Sequence, residues 1–185
     1  EPIASAPEPA PPAALASAAV IDPLAELGYC YRPSWDPGRG VIAAYLCVPT
    51  LPEMPGSIKQ RRASLVLDSD STVLEMLDFA ILNHAVGLVE ALVREKRRLL
   101  ITLPVRFETL VAAVNRRRYI QVLQARLSPE AASLLVIELV RVPDGVPHAR
   151  LLDISAPLRA RARAVIARLR PDVGEFTQFA AARIA

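Results

Sequence analysis

Leu99–Val140, LLITLPVRFETLVAAVNRRRYIQVLQARLSPEAASLLVIELV, is the stretch that decides the fold. It opens on LLITLPV (99–105) and closes on SLLVIELV (133–140), two nearly continuous apolar runs. A strand with one face in water alternates apolar and polar residues, whereas a strand apolar along its length is covered on both faces. Between the runs, residues 107–126 read as a helix. Strand, helix and strand in that order describe parallel strands with helices packed outside the sheet.

Working upstream, Val73, Leu77, Ala80, Ile81, Leu88 and Leu92 recur at three- and four-residue intervals and predict a helix from Thr72 to Lys96. Thr72 and Glu75 have the spacing of a capping box. Before it, YCYRPSW (29–35) and GVIAAYLCV (40–48) read as a hairpin joined by DPGRG, in which Pro37 and Gly38 supply the turn. Pro33 cannot donate to a ladder, so the first strand belongs at an edge or ends there. Residues 49–70, with Pro49, Pro52 and Pro55, are expected to be a loop with one short strand at 64–67. Residues 1–26 begin as a run of Pro, Ala, Ser and Glu with almost nothing to bury, and read as a linker or tail.

Downstream, the pattern predicts a helix over 147–161, a strand AVIARL at 164–169 and a closing helix over 175–185, although 156–169 could instead be one Arg-rich helix starting at Pro157. There is no internal repeat. A series of helix–strand units that stops on a helix is expected to continue into another strand, so the domain, 27–185, is read as incomplete at its C-terminal side. Beginning at Glu1 rather than Met, the chain also reads as part of a longer polypeptide with an upstream domain.

The 185 residues are 52% hydrophobic, enough for one core without disulfides or metals. Basic residues outnumber acidic ones by only 22 to 19, and Lys59 and Lys96 are the only lysines, which argues against a nucleic-acid partner despite a pI near 9.2. Cys30 and Cys47 form no CxxC pair, so both are expected to be free thiols in a reducing, cytoplasmic setting. No uninterrupted apolar run approaches the roughly 20 residues of a membrane span, and none is expected in this segment. His84 and His148 have no arrangement of nucleophile and base. Arg94 to Arg98 fit a solvated helix end and Arg116 to Arg118 an exposed helix face. RRAS (61–64) resembles a basic-directed phosphorylation site.

Parallel strands in a barrel converge their C-terminal ends on one mouth, where catalytic groups sit. The strands here would bring Pro33 and Ser34, Cys47 and Val48, Pro104 and Val105, and Glu138 to Arg141. Glu138 is the only carboxylate within a strand, and a lone Glu cannot satisfy a divalent cation. It is expected to pair with an arginine such as Arg141 or with backbone.

Taken together, Tyr31–Asp36, Gly40–Pro49, Leu99–Leu110 and Leu134–Val142 resemble, in order and spacing, the EAL-type cyclic di-GMP phosphodiesterases, with "YQPIvD…G.vvGxEALxR", "lsvNlS…L" and "leiEiTES" as the matching motifs. The resemblance implies an α/β, TIM-barrel-type EAL-like fold that opens with a β-hairpin. It places the signature's metal-binding Glu on Tyr45, its next letters on Leu46 and Cys47, and its phosphate-holding Arg on Pro49. The first-strand Gln falls on Arg32, the metal-binding Asn on Thr102, and the paired acids on Glu138 and Arg141, while the "DDFG" aspartates have no match. What this implies is a degenerate domain with no catalytic residue and no cofactor, Glu138 being a vestigial metal ligand. Such a domain would act as a regulatory or protein-interaction module of a bacterial signalling protein, partnered by another protein, an upstream domain or a second copy. Cyclic di-GMP binding without cleavage, or residual phosphodiesterase activity, is the alternative.

Overall fold

The computed structural model describes Leu24 and residues 27–51, 61–62, 71–169 and 176–185. The expected tail therefore lies, apart from Leu24, outside the described residues, as do the expected strand at 64–67 and Ser64. Among these described residues six strands form one sheet: β1 (Gly28–Asp36), β2 (Val41–Leu51), β3 (Arg61–Arg62), β4 (Ile101–Arg106), β5 (Leu135–Val140) and β6 (Ala164–Ala167). Their order is β1-β2-β4-β5-β6, with β3 also pairing β2. β1 and β3 run antiparallel to β2, while β2, β4, β5 and β6 are parallel.

The hairpin follows from its turn. Asp36 Oδ1 accepts from the backbone N–H groups of Gly38 (2.9 Å) and Arg39 (3.2 Å), and Gly40 takes the left-handed φ of 66° that glycine tolerates. A register shift follows Ser34. Pro33 sits in β1, the outermost strand, where its missing N–H costs least. β2 is longer than expected: it passes through Pro49, opposite Tyr29, and reaches Leu51, because pairing to β1 and β3 outweighs the prolines' loop signal.

The long helix α1 (Ser71–Arg94) begins one residue before Thr72, which puts Thr72 inside its first turn rather than at the cap. Its length and mean hydropathy of 1.6 would suit a membrane span, but Leu77, Leu82, Ala85, Val86 and Val89 are buried in the core. They meet Ile101, Leu103 and Val105 of β4 and, beyond them, Leu135, Ile137 and Leu139 of β5 in one cluster. The apolar run of each central strand is thus explained: odd-numbered residues face the helices and even-numbered residues face the opposite, interior side.

The helix expected over 107–126 is broken into α2 (Phe107–Val111) and α3 (Ala113–Arg126) by an extended Ala112 (φ −64°, ψ 113°). Arg116 stabilises the break, donating to the carbonyls of Leu110 (2.8 Å) and Val111 (3.3 Å), which the helix end leaves open. A short α4 (Pro129–Ala132) carries Ser128 at its N-cap, accepting from Ala131 N (3.2 Å), and proline at its first position. α5 (His148–Arg159) tolerates Pro157 near its end, and β6 follows as a separate strand, shorter than 164–169, so 156–169 is not one helix. The closing helix is only α6 (Thr177–Ala181). Past it the chain returns to the sheet, where Ala185 exchanges backbone hydrogen bonds with Val165 (3.1 Å) and Ala167 (2.9 Å).

The hairpin is locked to α1 through His84, whose ring stacks on Tyr29 (3.6 Å between centroids, 2° between planes) and hydrogen-bonds the Tyr31 hydroxyl. Beneath this contact Cys47 is fully buried, and burial pushes its thiol up to about 12. In the native chain only Cys30, which is half-buried, is therefore expected to react with a chromogenic disulfide at pH 8. Titration should count one thiol promptly and the second only after guanidinium unfolding; two prompt thiols would contradict the packing.

Candidate functional site

Parallel strands β2, β4, β5 and β6 deliver their C-terminal ends to one side of the sheet, together with the first turns of α1. A cavity of about 410 Å³ lies there, with Leu46, Leu77 and Pro104 in its lining and Arg32, Arg106, Arg141 and Arg168 around it. Four guanidinium groups border the mouth, and aliphatic side chains make up most of the rest.

Which side chains enter the interior follows from the ladders. Leu46 pairs with Thr102 and with Arg32, and Thr102 pairs with Val136, all even-numbered and on the interior face. Tyr45 pairs with Ile101, a core residue, and packs against the helix-side cluster with Tyr29. Tyr31, which reaches His84 on α1, lies opposite Cys47. Tyr45, Cys47 and Pro49 accordingly face the helices, and Leu46, Val48 and Thr50 face the interior. If the ligands the resemblance implies face the interior, the positions β2 offers them are Leu46 and Thr50 rather than Tyr45 and Pro49. A slip of one residue exchanges the two faces of a strand completely. The shift leaves the chemistry unchanged, since leucine and threonine supply no carboxylate and no cation either.

Thr102 and Glu138 do occupy interior positions, both buried. Glu138 pairs in register with Ile166, which brings Arg168 beside it from the neighbouring strand. The Arg168 guanidinium donates to both carboxylate oxygens, Nε at 2.9 Å and Nη2 at 2.8 Å. The expected ion pair therefore exists, but with Arg168. Arg141, at the end of β5, holds a left-handed φ of 55°.

A second acid was not singled out in the sequence. Asp78, on the buried face of α1, accepts from Arg106 Nε (3.1 Å), from the Arg106 backbone N–H (3.4 Å) and from the Thr109 hydroxyl. Burial raises its carboxyl above the usual range, and Arg106 and Thr109 oppose that rise. The signal available was an aspartate in the apolar stripe of an otherwise hydrophobic helix, which has to find a partner.

A divalent cation requires several oxygen ligands, usually including more than one free carboxylate. Among the described residues no three His, Cys, Asp or Glu side chains come together. Glu138 is held bidentately by Arg168, and Asp78 by Arg106 and Thr109. Among the described residues this donor set does not fit a divalent metal.

No family model and no curated protein matches this sequence. Solved structures do. The FimX EAL domain superposes with a TM-score of 0.64 at 15% identity, covering 86% of this chain and 64% of that one. The Bacillus subtilis YkuI protein, solved with cyclic di-GMP and calcium, gives 0.64 at 12% identity, covering 85% and 39%. An EAL-domain protein of Listeria monocytogenes gives 0.61 at 10% identity, covering 84% and 59%. The chain thus spans less than two thirds of each solved chain. Hairpin first, then parallel strands alternating with helices around a common mouth, the described residues carry the EAL-type, TIM-barrel-like fold over part of its length.

Proposed function

We propose that this chain is a catalytically inactive EAL-type module that acts by binding, as a regulatory or interaction part of a bacterial cyclic di-GMP signalling protein in the cytoplasm. One observation carries the reading: the interior carboxylate that could have begun a metal site, Glu138, is neutralised by both arms of Arg168. Two-metal phosphodiester hydrolysis depends on cations to activate water and offset the phosphate's charge. With Leu46, Thr102 and a paired Glu138 on the interior face, the described residues offer them too few ligands. Its partner is then another protein, a neighbouring domain of a longer polypeptide or a second copy.

Retention of cyclic di-GMP as a bound ligand is the second reading, favoured by Arg32 at the mouth, where a guanidinium group can meet phosphodiester oxygens without a metal. One experiment addresses both. Purified chain incubated with cyclic di-GMP and magnesium or manganese is expected to yield no linear dinucleotide above a Glu138→Ala control. Turnover that the control lacks would defeat the inactive reading, and calorimetric heat without turnover would select the second.

A further inference from the structure

A second concavity lies at the opposite end of the sheet, where β4, β5 and β6 begin. It encloses about 680 Å³ over a floor of Val93, Leu100 and Leu134. Four cations border it: Lys96, Arg97 and Arg98, which link α1 to β4, and Arg163, which leads into β6 from a distant part of the sequence. A run of basic residues at a helix end is ordinarily just solvated. Here the fold brings a fourth cation from another connection to the same cavity.

The cations are poorly compensated. Glu130 is the only carboxylate among the lining residues, and it makes no ion pair with them. Arg97 approaches Glu95 at 3.6 Å, but both side chains are mostly exposed (61% and 59%), where such a contact is worth little. Lys96, Arg98 and Arg163 have no carboxylate partner among the described residues. Lys96 also stands at the αL position that closes α1, with φ of 57°, its N–H bonded to Val93 O (3.0 Å) and the next N–H to Leu92 O (2.8 Å). That position usually holds glycine, because a β-carbon strains it. The fold thus keeps an ammonium group on the cavity rim at a cost in backbone strain.

We propose that this concavity binds a compact polyphosphoryl anion of the diphosphate or triphosphate class. Guanidinium forks match phosphoryl oxygens two at a time, and several cations around one cavity favour a ligand with more than one phosphoryl group. The lining contains no aromatic ring on which a nucleobase could stack. The site lies away from the strand mouth and is independent of the function proposed for it.

The test is calorimetry of the whole chain with tripolyphosphate at low salt. Saturable binding is expected, weakened at least tenfold in Arg98→Ala/Arg163→Ala and changed less than twofold in Arg117→Ala/Arg150→Ala, which removes equal charge from exposed positions elsewhere. Lys96→Gly should move two readouts in opposite directions, raising Tm by roughly 2–4 °C through relief of the αL strain while weakening binding. It also keeps the proposal testable if the double variant fails to fold. Absence of saturable binding, equal weakening in the two double variants, or tighter binding of ATP than of tripolyphosphate would overturn the proposal.

Discussion

Replacing Arg106 by methionine is expected to cost the fold about 3–5 kcal/mol at neutral pH, because it leaves the Asp78 carboxylate buried with only Thr109 for company. Both partners are nearly inaccessible, so solvent cannot take over the role of the lost guanidinium. The loss should depend on pH in a defined direction. Burial raises the Asp78 pKa in the folded chain, so this group's contribution is fully present below its unfolded value near 3.8 and is lost as pH rises through the folded value. Removing Arg106 raises the folded value further. The gap between wild type and Arg106→Met should therefore be widest near pH 7 and narrow as pH falls and Asp78 is protonated. Urea denaturation at a series of pH values measures it; a gap independent of pH would mean that the ion pair is not what holds α1 to the end of β4.

Leu103→Ala should be comparably severe for a different reason. Leu103 is fully buried at the centre of β4, between α1 and the helix-facing side of β5. Its truncation removes transfer free energy and leaves a cavity, together about 2–5 kcal/mol. At roughly 2–4 °C per kcal/mol for a chain of this size, Tm should fall by about 5–15 °C. Val114→Ala on α3, where the side chain is 69% exposed, should stay within about 0.5 kcal/mol of wild type. If the two variants melted together, β4 would not lie at the centre of the core.

How much of this was legible in the sequence differs from element to element. β4 and β5 announced themselves, because a strand covered on both faces has an apolar residue at nearly every position. α1 did so through its spacing. The break at Ala112 carried no such mark, since it depends on Arg116 folding back onto carbonyls that local propensity does not foresee. α4 did carry one in Ser128-Pro129-Glu130, a cap followed by proline and an acid, although no helix was expected there.

The candidate site shows the same division. Glu138 was identifiable as the only acid within an expected strand, but its partner was not: Arg168 reaches it through the register of β6 on β5, which sequence spacing does not encode. The facing of β2 was not legible for a related reason. VIAAYLCV lacks alternation, so nothing in it states which parity enters the interior until the pairings of Tyr45 with Ile101 and Leu46 with Thr102 fix it. Asp78 and Arg106, on different elements, become a pair only when α1 packs across the end of β4.

What remains central is that, among the described residues, the strand mouth holds arginines and its two buried acids, Glu138 and Asp78, are both paired. The most direct measurement is manganese binding to the purified chain, followed by the electron paramagnetic resonance signal of the free ion as protein is added. The expected result is no saturable loss of signal at millimolar manganese and no difference between wild type and Glu138→Ala. Saturable binding that disappears in Glu138→Ala would contradict the account, because it would mean that Glu138 can leave Arg168 and ligate a cation after all.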